Sequence, residues 1–273
     1  MNDKKPDHIA RYPLAYKNEE FLDSDPARTL RILAEYMEPL HRFEEQKVPG
    51  TVVFFGSARL GADGPMGRYY AEARELARLY TEWSNGLPPS VPRFLICSGG
   101  GHGIMEAANR GAADAGGRTI GLNISLPEEQ SPNPYITPDL SFEFHYFFMR
   151  KLWFAHLARA VVVFPGGFGT LDEMSEILTL SQTRKLEGKM TVILYGESYW
   201  REVLNFEALV KHGMIAAADL KLFSFASNPN EALDLLKQGI APKMQPDAAP
   251  SPYAKNRPSP SDSGSYLYQR SGD

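Results

Sequence analysis

Ala160-Val161-Val162-Val163-Phe164-Pro165-Gly166-Gly167-Phe168-Gly169-Thr170-Leu171-Asp172-Glu173 reads as a buried strand, a glycine turn and a helix that opens on a threonine and two acids. A valine-rich run suits a strand covered on both faces of a parallel sheet. Glycines let the backbone come close to a ligand, and the free N–H groups and dipole of the helix that follows favour a phosphate. A protein that only binds phosphate has no electrostatic reason to set Asp172 and Glu173 beside a dianion. Their presence points to chemistry.

Working outward, strand-like runs at 51–56, 93–98, 118–124, 141–146, 159–164, 190–195 and 221–225 alternate with helical periodicity near 65–83, 103–115, 149–157, 171–185, 199–211 and 229–238. Alternating strands and helices imply right-handed crossovers. The expected fold is α/β: a Rossmann-like, doubly wound, mostly parallel sheet with helices on both faces, plus an N-terminal helical extension. Three regions separate by composition. Residues 1–48 form an arm and a helical extension, 49–242 a Rossmann-like domain of alternating strands and helices, and 243–273 a Pro/Ser-rich tail too poor in apolar residues to order itself. In the extension, Leu30, Leu33, Ala34, Met37 and Leu40 have amphipathic spacing. Pro39 falls among them and predicts a kink or two shorter helices. The leucine stripe and Met37 are read as core or dimer contacts.

Composition excludes several classes. The net charge is −4 and the isoelectric point near 5.9, so no basic field points to nucleic acid or an anionic membrane. No apolar run approaches the roughly 20 residues of a membrane span. The opening residues lead into no apolar segment of a signal peptide, and the single cysteine, Cys97, suits a reducing cytoplasm.

Two further glycine turns follow predicted strands: Phe55-Gly56-Ser57-Ala58-Arg59 and Ser98-Gly99-Gly100-Gly101-His102-Gly103. In an open parallel sheet such turns cluster at the carboxyl edge, near a topological switch point. Three together make a nucleotide-sized site. The second turn lacks G-x-G-x-x-G spacing, and its next strand ends Gly121-Leu122-Asn123-Ile124-Ser125 without a ribose-holding acid, which disfavours NAD. Gly188-Lys189 is followed by Met190, so there is no P-loop. Histidines and acids show no metal-ligand spacing. No metal and no cofactor is expected.

Local pattern leaves blander roles open. Thr170-x-x-Glu173 also fits a capping box, and Asp172 suits the helix dipole. Arg150 and Lys151 fit solvated charges near a helix start, and His102 a turn residue satisfied by backbone. Glu106 and Asn109 suit packing as well as ribose contact, and nothing in the spacing requires His145 or Tyr146 to line a pocket.

The nine residues from Pro165 to Glu173 resemble the P-G-G-x-G-T-x-x-E signature of the LOG family of cytokinin riboside 5′-monophosphate phosphoribohydrolases, long labelled lysine decarboxylases. Arg150-Lys151 is similar to that family's upstream Arg-Lys pair, and the turns at Gly56-Ser57 and 99–105 fit as well. The resemblance covers residues 50–240. The second turn, ending Gly103-Ile104-Met105-Glu106, departs from the short plant type and looks like a longer bacterial branch. The resemblance implies a homodimer or higher assembly and hydrolysis of the N-glycosidic bond of a nucleoside 5′-monophosphate. It assigns catalysis to Glu173 and Arg150. Phosphate and substrate contacts fall to Gly166, Gly167, Gly169, Thr170, Ser57, Gly100, Gly101, Met149 and Lys151. AMP and a cytokinin nucleotide fit equally. Two other classes stay open: a non-catalytic nucleotide carrier, and a pyridoxal-phosphate decarboxylase, for which no convincing lysine context is present.

Overall fold

The computed structural model describes residues 12–127, 131–186 and 190–244. Most of the Pro/Ser-rich tail therefore lies outside the described residues. Seven strands form one parallel sheet: β1 (Thr51–Phe55), β2 (Leu95–Ser98), β3 (Thr119–Ile124), β4 (Ser141–Phe144), β5 (Ala158–Val163), β6 (Thr191–Tyr195) and β7 (Ser224–Ala226). Their spatial order is β4-β3-β2-β1-β5-β6-β7. The chain winds outward from β1 in one direction, returns, and winds outward from β5 in the other. The switch point lies between β1 and β5, where Val53 pairs with Val161 and Phe55 with Val163.

Alternating side chains of these two strands feed two cores. Val53, Phe55, Val161 and Val163 enter one, with residues of α5 (Phe147–Leu157) and α6 (Phe168–Gln182). Val52, Phe54, Ala160 and Val162 enter the other, with α3 (Gly67–Asn85), α4 (Ile104–Asp114) and α9 (Pro229–Ile240). The periodicity expected near 199–211 resolves into two helices, α7 (Glu197–Val203) and α8 (Phe206–Lys211). The break has a local cause: Leu204 is extended, and the Asn205 carboxamide accepts from the Ala208 N–H at 2.8 Å, capping a new helix. No helix among the described residues is long and apolar enough to cross a membrane.

Ahead of β1 stand a short α1 (Glu19–Asp23) and α2 (Arg28–Glu45). Pro39 does not split α2, which is one helix of 18 residues. Proline removes the N–H that would bond to the carbonyl four residues back. That carbonyl, on Glu35, instead accepts from the Trp153 indole N–H at 2.9 Å, so the interruption is satisfied from another helix. The buried stripe also differs from the expected one. Ile32, Tyr36, Leu40 and Phe43 pack inward, Phe43 lying 4.6 Å from Phe142 and 5.4 Å from Trp153 between ring centres. Leu30, Leu33 and Met37 are exposed, which removes them from the core.

Candidate active site

All three glycine turns meet at the switch point. The Ser57 N–H donates to Pro165 O at 3.1 Å, and the Ile104 N–H donates to Ser57 O at 3.2 Å. These bonds lock the turn after β1 to the turns after β5 and β2. Between them lies a cavity of about 830 Å³, lined by Gly56, Ser57, Gly99, Gly101, Asn123, Arg150, Gly166, Gly167, Gly169, Thr170 and Glu173, among others. Gly100 is not part of the lining. Its φ of +75° and the Asn123 carboxamide pressed against it leave no room for a side chain, and that bend turns its neighbours inward.

Helix α6 begins at Phe168, with Gly167 as its N-cap and the first closing bond from Leu171 N–H to Gly167 O at 3.0 Å. The amides of Phe168, Gly169 and Thr170 precede that bond and have no carbonyl in their own helix to meet. They border the cavity at the positive end of the dipole, an arrangement that favours an anion. This start rules out the capping-box reading. Thr170 is the third residue of the helix and Glu173 the sixth, too far in to reach back to the N-cap. The Thr170 hydroxyl packs instead where a Cβ on Gly166 would stand, so that position admits only glycine. Opposite, the Tyr199 hydroxyl of α7 donates to Gly166 O at 2.8 Å and braces the turn.

One turn further along α6, Glu173 projects into the cavity toward Arg150 of α5. Arg150 Nη1 lies 3.9 Å from Glu173 Oε1, and the two side chains are only 10% and 16% exposed. Arg150 is fixed from behind: its Nε–H donates to Leu122 O at 2.7 Å, and its guanidinium lies 5.2 Å from the Phe154 ring centre. Burial lowers the arginine from its ordinary value against the pull of Glu173, and a guanidinium remains charged regardless. Burial pushes the Glu173 carboxyl up to about 7, the Arg150 charge opposing and Asp172 and Glu176 adding to the rise. At a separation of 3.9 Å the pair makes no short hydrogen bond, so both groups keep faces free for a ligand. A carboxyl poised near neutrality beside a fixed cation is the combination that proton transfer needs.

Three expected contacts stand elsewhere. Met149 is 5% exposed and sits in the core, because the side chain one residue before Arg150 is turned about 100° away from it around the helix. Lys151 does not line the cavity. Its ammonium pairs with Asp172 at 3.1 Å and Glu176 at 3.3 Å, tying α5 to α6 from outside and accounting for Asp172 as well. Gly100 acts through geometry, as described. Asn109 is fully buried and joins Ser98, Thr119, Ile120 and Asn133 in a polar network, which makes it structural. Asn123 and Tyr199 line the cavity without having been expected there. For Asn123 the signal was present, since a polar residue replaces the acid where a nucleotide-type strand ends.

The fold and site together define an α/β protein with a cleft of about 830 Å³ at the switch point, the amino end of a helix at its edge and a buried acid–arginine pair. Comparisons with known proteins narrow that class. A family model described as "Possible lysine decarboxylase" matches residues 105–236. The cytokinin riboside 5′-monophosphate phosphoribohydrolase of Rhodococcoides fascians is 30% identical over 146 residues, covering 51% of this chain and 72% of that protein. The probable cytokinin riboside 5′-monophosphate phosphoribohydrolase LOG4 of Oryza sativa subsp. japonica is 31% identical over 150 residues, 54% of this chain. That match spans 64% of the rice protein's own length. Among solved structures, the X-ray structure of TM1055 superposes with a TM-score of 0.50 at 22% identity, covering 69% of this chain and 99% of that one, a likeness of fold. The chain belongs to the LOG family.

Proposed function

We propose that the protein hydrolyses the N-glycosidic bond of a purine nucleoside 5′-monophosphate, AMP or a cytokinin riboside 5′-monophosphate, to free base and ribose 5-phosphate. The observation that carries this reading is that one helix, α6, offers both the anion seat at its amino end and the buried Glu173 one turn on. The 5′-phosphate sits over the amides of Phe168, Gly169 and Thr170, with Gly166 and Gly167 allowing its approach. That seat brings the ribose toward Glu173. The C1′–N bond then breaks with its electron pair leaving on the base, and positive charge grows on the ribose. The Glu173 carboxylate stabilises that charge and accepts a proton from the water that adds to C1′; that proton passes to the departed base, which leaves neutral, and the carboxylate is restored. Arg150 orients the ribose oxygens and steadies the departing base. Binding of the remote phosphate supplies the positioning energy, so nucleosides without it react poorly. In this reading residues 49–242 are the catalytic domain and 1–48 an extension, and the protein acts in the cytoplasm, in keeping with its lone cysteine.

Incubation with a panel of nucleoside monophosphates tests the proposal. Ribose 5-phosphate should accumulate together with free adenine from AMP, or with the free N6-modified adenine from an N6-modified AMP, and adenosine should react at least ~100-fold more slowly. Tight AMP binding with no base released would favour a carrier of the same fold instead. A pyridoxal-phosphate decarboxylase is disfavoured because no lysine is found among the residues lining the cavity.

The protein is further proposed to work as a homodimer. Phe147, Phe148 and Leu152 of α5 and Phe168 of α6 are 53%, 49%, 38% and 92% exposed, and Phe147 and Phe168 line the cavity, apolar surface suited to a second copy. Light scattering should give twice the 30.4 kDa chain mass, and Phe168→Asp should shift it toward the monomer. A monomeric parent protein would end that part of the reading.

A further inference from the structure

The arginine that faces Glu173 rides on a helix with no cap of its own. Tyr146, the N-cap of α5, offers no side-chain hydrogen bond to the first turn. Helix ends left this way fray unless another group satisfies them. Here the chain is held at the N-cap and the residue before it, from 110 residues away in sequence: Glu35 Oε2 accepts from the N-cap Tyr146 N–H at 3.2 Å, and Glu35 Oε1 accepts from the His145 N–H at 2.7 Å. A carboxylate at this end also complements the helix dipole and makes charge-assisted bonds.

The same residue grips α5 a second time. Its backbone carbonyl, freed by Pro39, takes the Trp153 indole N–H at 2.9 Å. Tyr146, Arg150 and Trp153 lie four and three residues apart, so they share one flank of α5. The two grips therefore bracket Arg150, and the arginine's own amide donates to Tyr146 O at 3.1 Å within the capped turn. Neighbouring contacts run the same way: the Arg28 guanidinium lies 5.7 Å from the Tyr146 ring centre, and Arg42 donates to Ser141 O at 2.7 Å. The N-terminal extension is thus built against the helix that carries half of the acid–arginine pair.

We propose that Glu35 is a positioning residue for the reaction: it caps α5 from the N-terminal extension and so sets where Arg150 stands relative to Glu173. The turnover arm of its test rests on the function proposed above. The placement arm does not.

The experiment compares Glu35→Ala, Glu35→Gln and Arg31→Ala with the parent, using AMP hydrolysis and amide hydrogen exchange. Arg31 holds Leu22 O and Ser24 O within the extension, so its loss perturbs the extension while sparing the cap. Glu35→Ala should lower kcat about ten- to a hundredfold with KM changed less than about threefold, since the phosphate seat on α6 is untouched. Exchange at the amides of residues 145–150 should quicken. Glu35→Gln keeps one acceptor oxygen and should recover most of kcat, and Arg31→Ala should retain the parent's kcat. An unchanged kcat in Glu35→Ala, or an equal fall in Arg31→Ala, overturns the proposal by showing that the cap does not reach the chemistry. If the parent frees no base at all, the functional reading has failed, and the exchange data alone still judge the placement: unaltered protection at 145–150 in Glu35→Ala overturns it, and lost protection sustains it.

Discussion

Glu173→Gln should abolish base release while making the folded protein more stable at alkaline pH. Glutamine keeps the size of the side chain and one acceptor oxygen but cannot carry negative charge or take a proton. If the carboxylate both steadies the developing ribose cation and activates water, the loss should be at least ~1000-fold in kcat, with AMP binding retained. The stability effect follows from the same burial. A carboxyl raised from 4.5 to about 7 in the folded protein holds its proton more tightly there than in the unfolded chain. Between those two values the folded state carries more protons, so stability falls as pH rises, and the full cost is present above about 7. That cost is on the order of 3 kcal/mol. Removing the charge should therefore raise Tm by several degrees at pH 8, with the gain shrinking toward pH 5. Thermal melts of parent and variant across that range, read beside turnover, decide it. Undiminished turnover would remove Glu173 from the chemistry, and a Tm difference independent of pH would mean that the carboxyl is not strained by burial.

How much of this was readable beforehand depended on whether the deciding partner was near in sequence. The parallel sheet announced itself through runs such as 160–164, where unbroken apolar residues have no exposed face, and the glycine turns marked its carboxyl edge. Glu173 and the glycine turn from Pro165 lie within nine residues of sequence, and their meeting at one cavity was legible for that reason. Local pattern misled where a distant partner settled the matter. Pro39 looked like a helix breaker because the Trp153 indole that satisfies Glu35 O lies 118 residues further on. Leu30, Leu33 and Met37 have the same spacing as the stripe that docks, and only the position of β4 and α5 decides which stripe is covered. Thr170 and Glu173 keep capping-box spacing, yet the helix starts three residues earlier because Gly167 takes the N-cap. Met149 was drawn toward the site by its neighbour, and a helix turns adjacent side chains about 100° apart. Glu35 carried no local signal at all.

Arg150→Ala should cost nearly as much as loss of the acid, and it should do so with a signature in pH. Two effects act together. In the proposed reaction the guanidinium no longer orients substrate, a loss of about 100- to 1000-fold for a charged donor at a reacting centre. It also ceases to oppose the burial of Glu173. Of the charges facing that carboxyl, Arg150 and Lys151 favour ionisation while Asp172 and Glu176 disfavour it, and Arg150 is the strongest of the four. Without it the carboxyl must rise above about 7, so a smaller fraction is ionised at neutral pH. The acid limb of kcat/KM, which reports groups on the free enzyme, should then move to higher pH, and activity should partly recover as the solution is made alkaline. Arg150→Lys separates the two effects. It returns a positive charge but not the planar fork that reaches Leu122 O and the cavity at once. The acid limb should therefore move back toward the parent's position while kcat stays low. An Arg150→Ala protein that folds, as judged by its melt, and keeps both the parent's kcat/KM and its acid limb would break the link between the guanidinium and the carboxyl on which the mechanism depends.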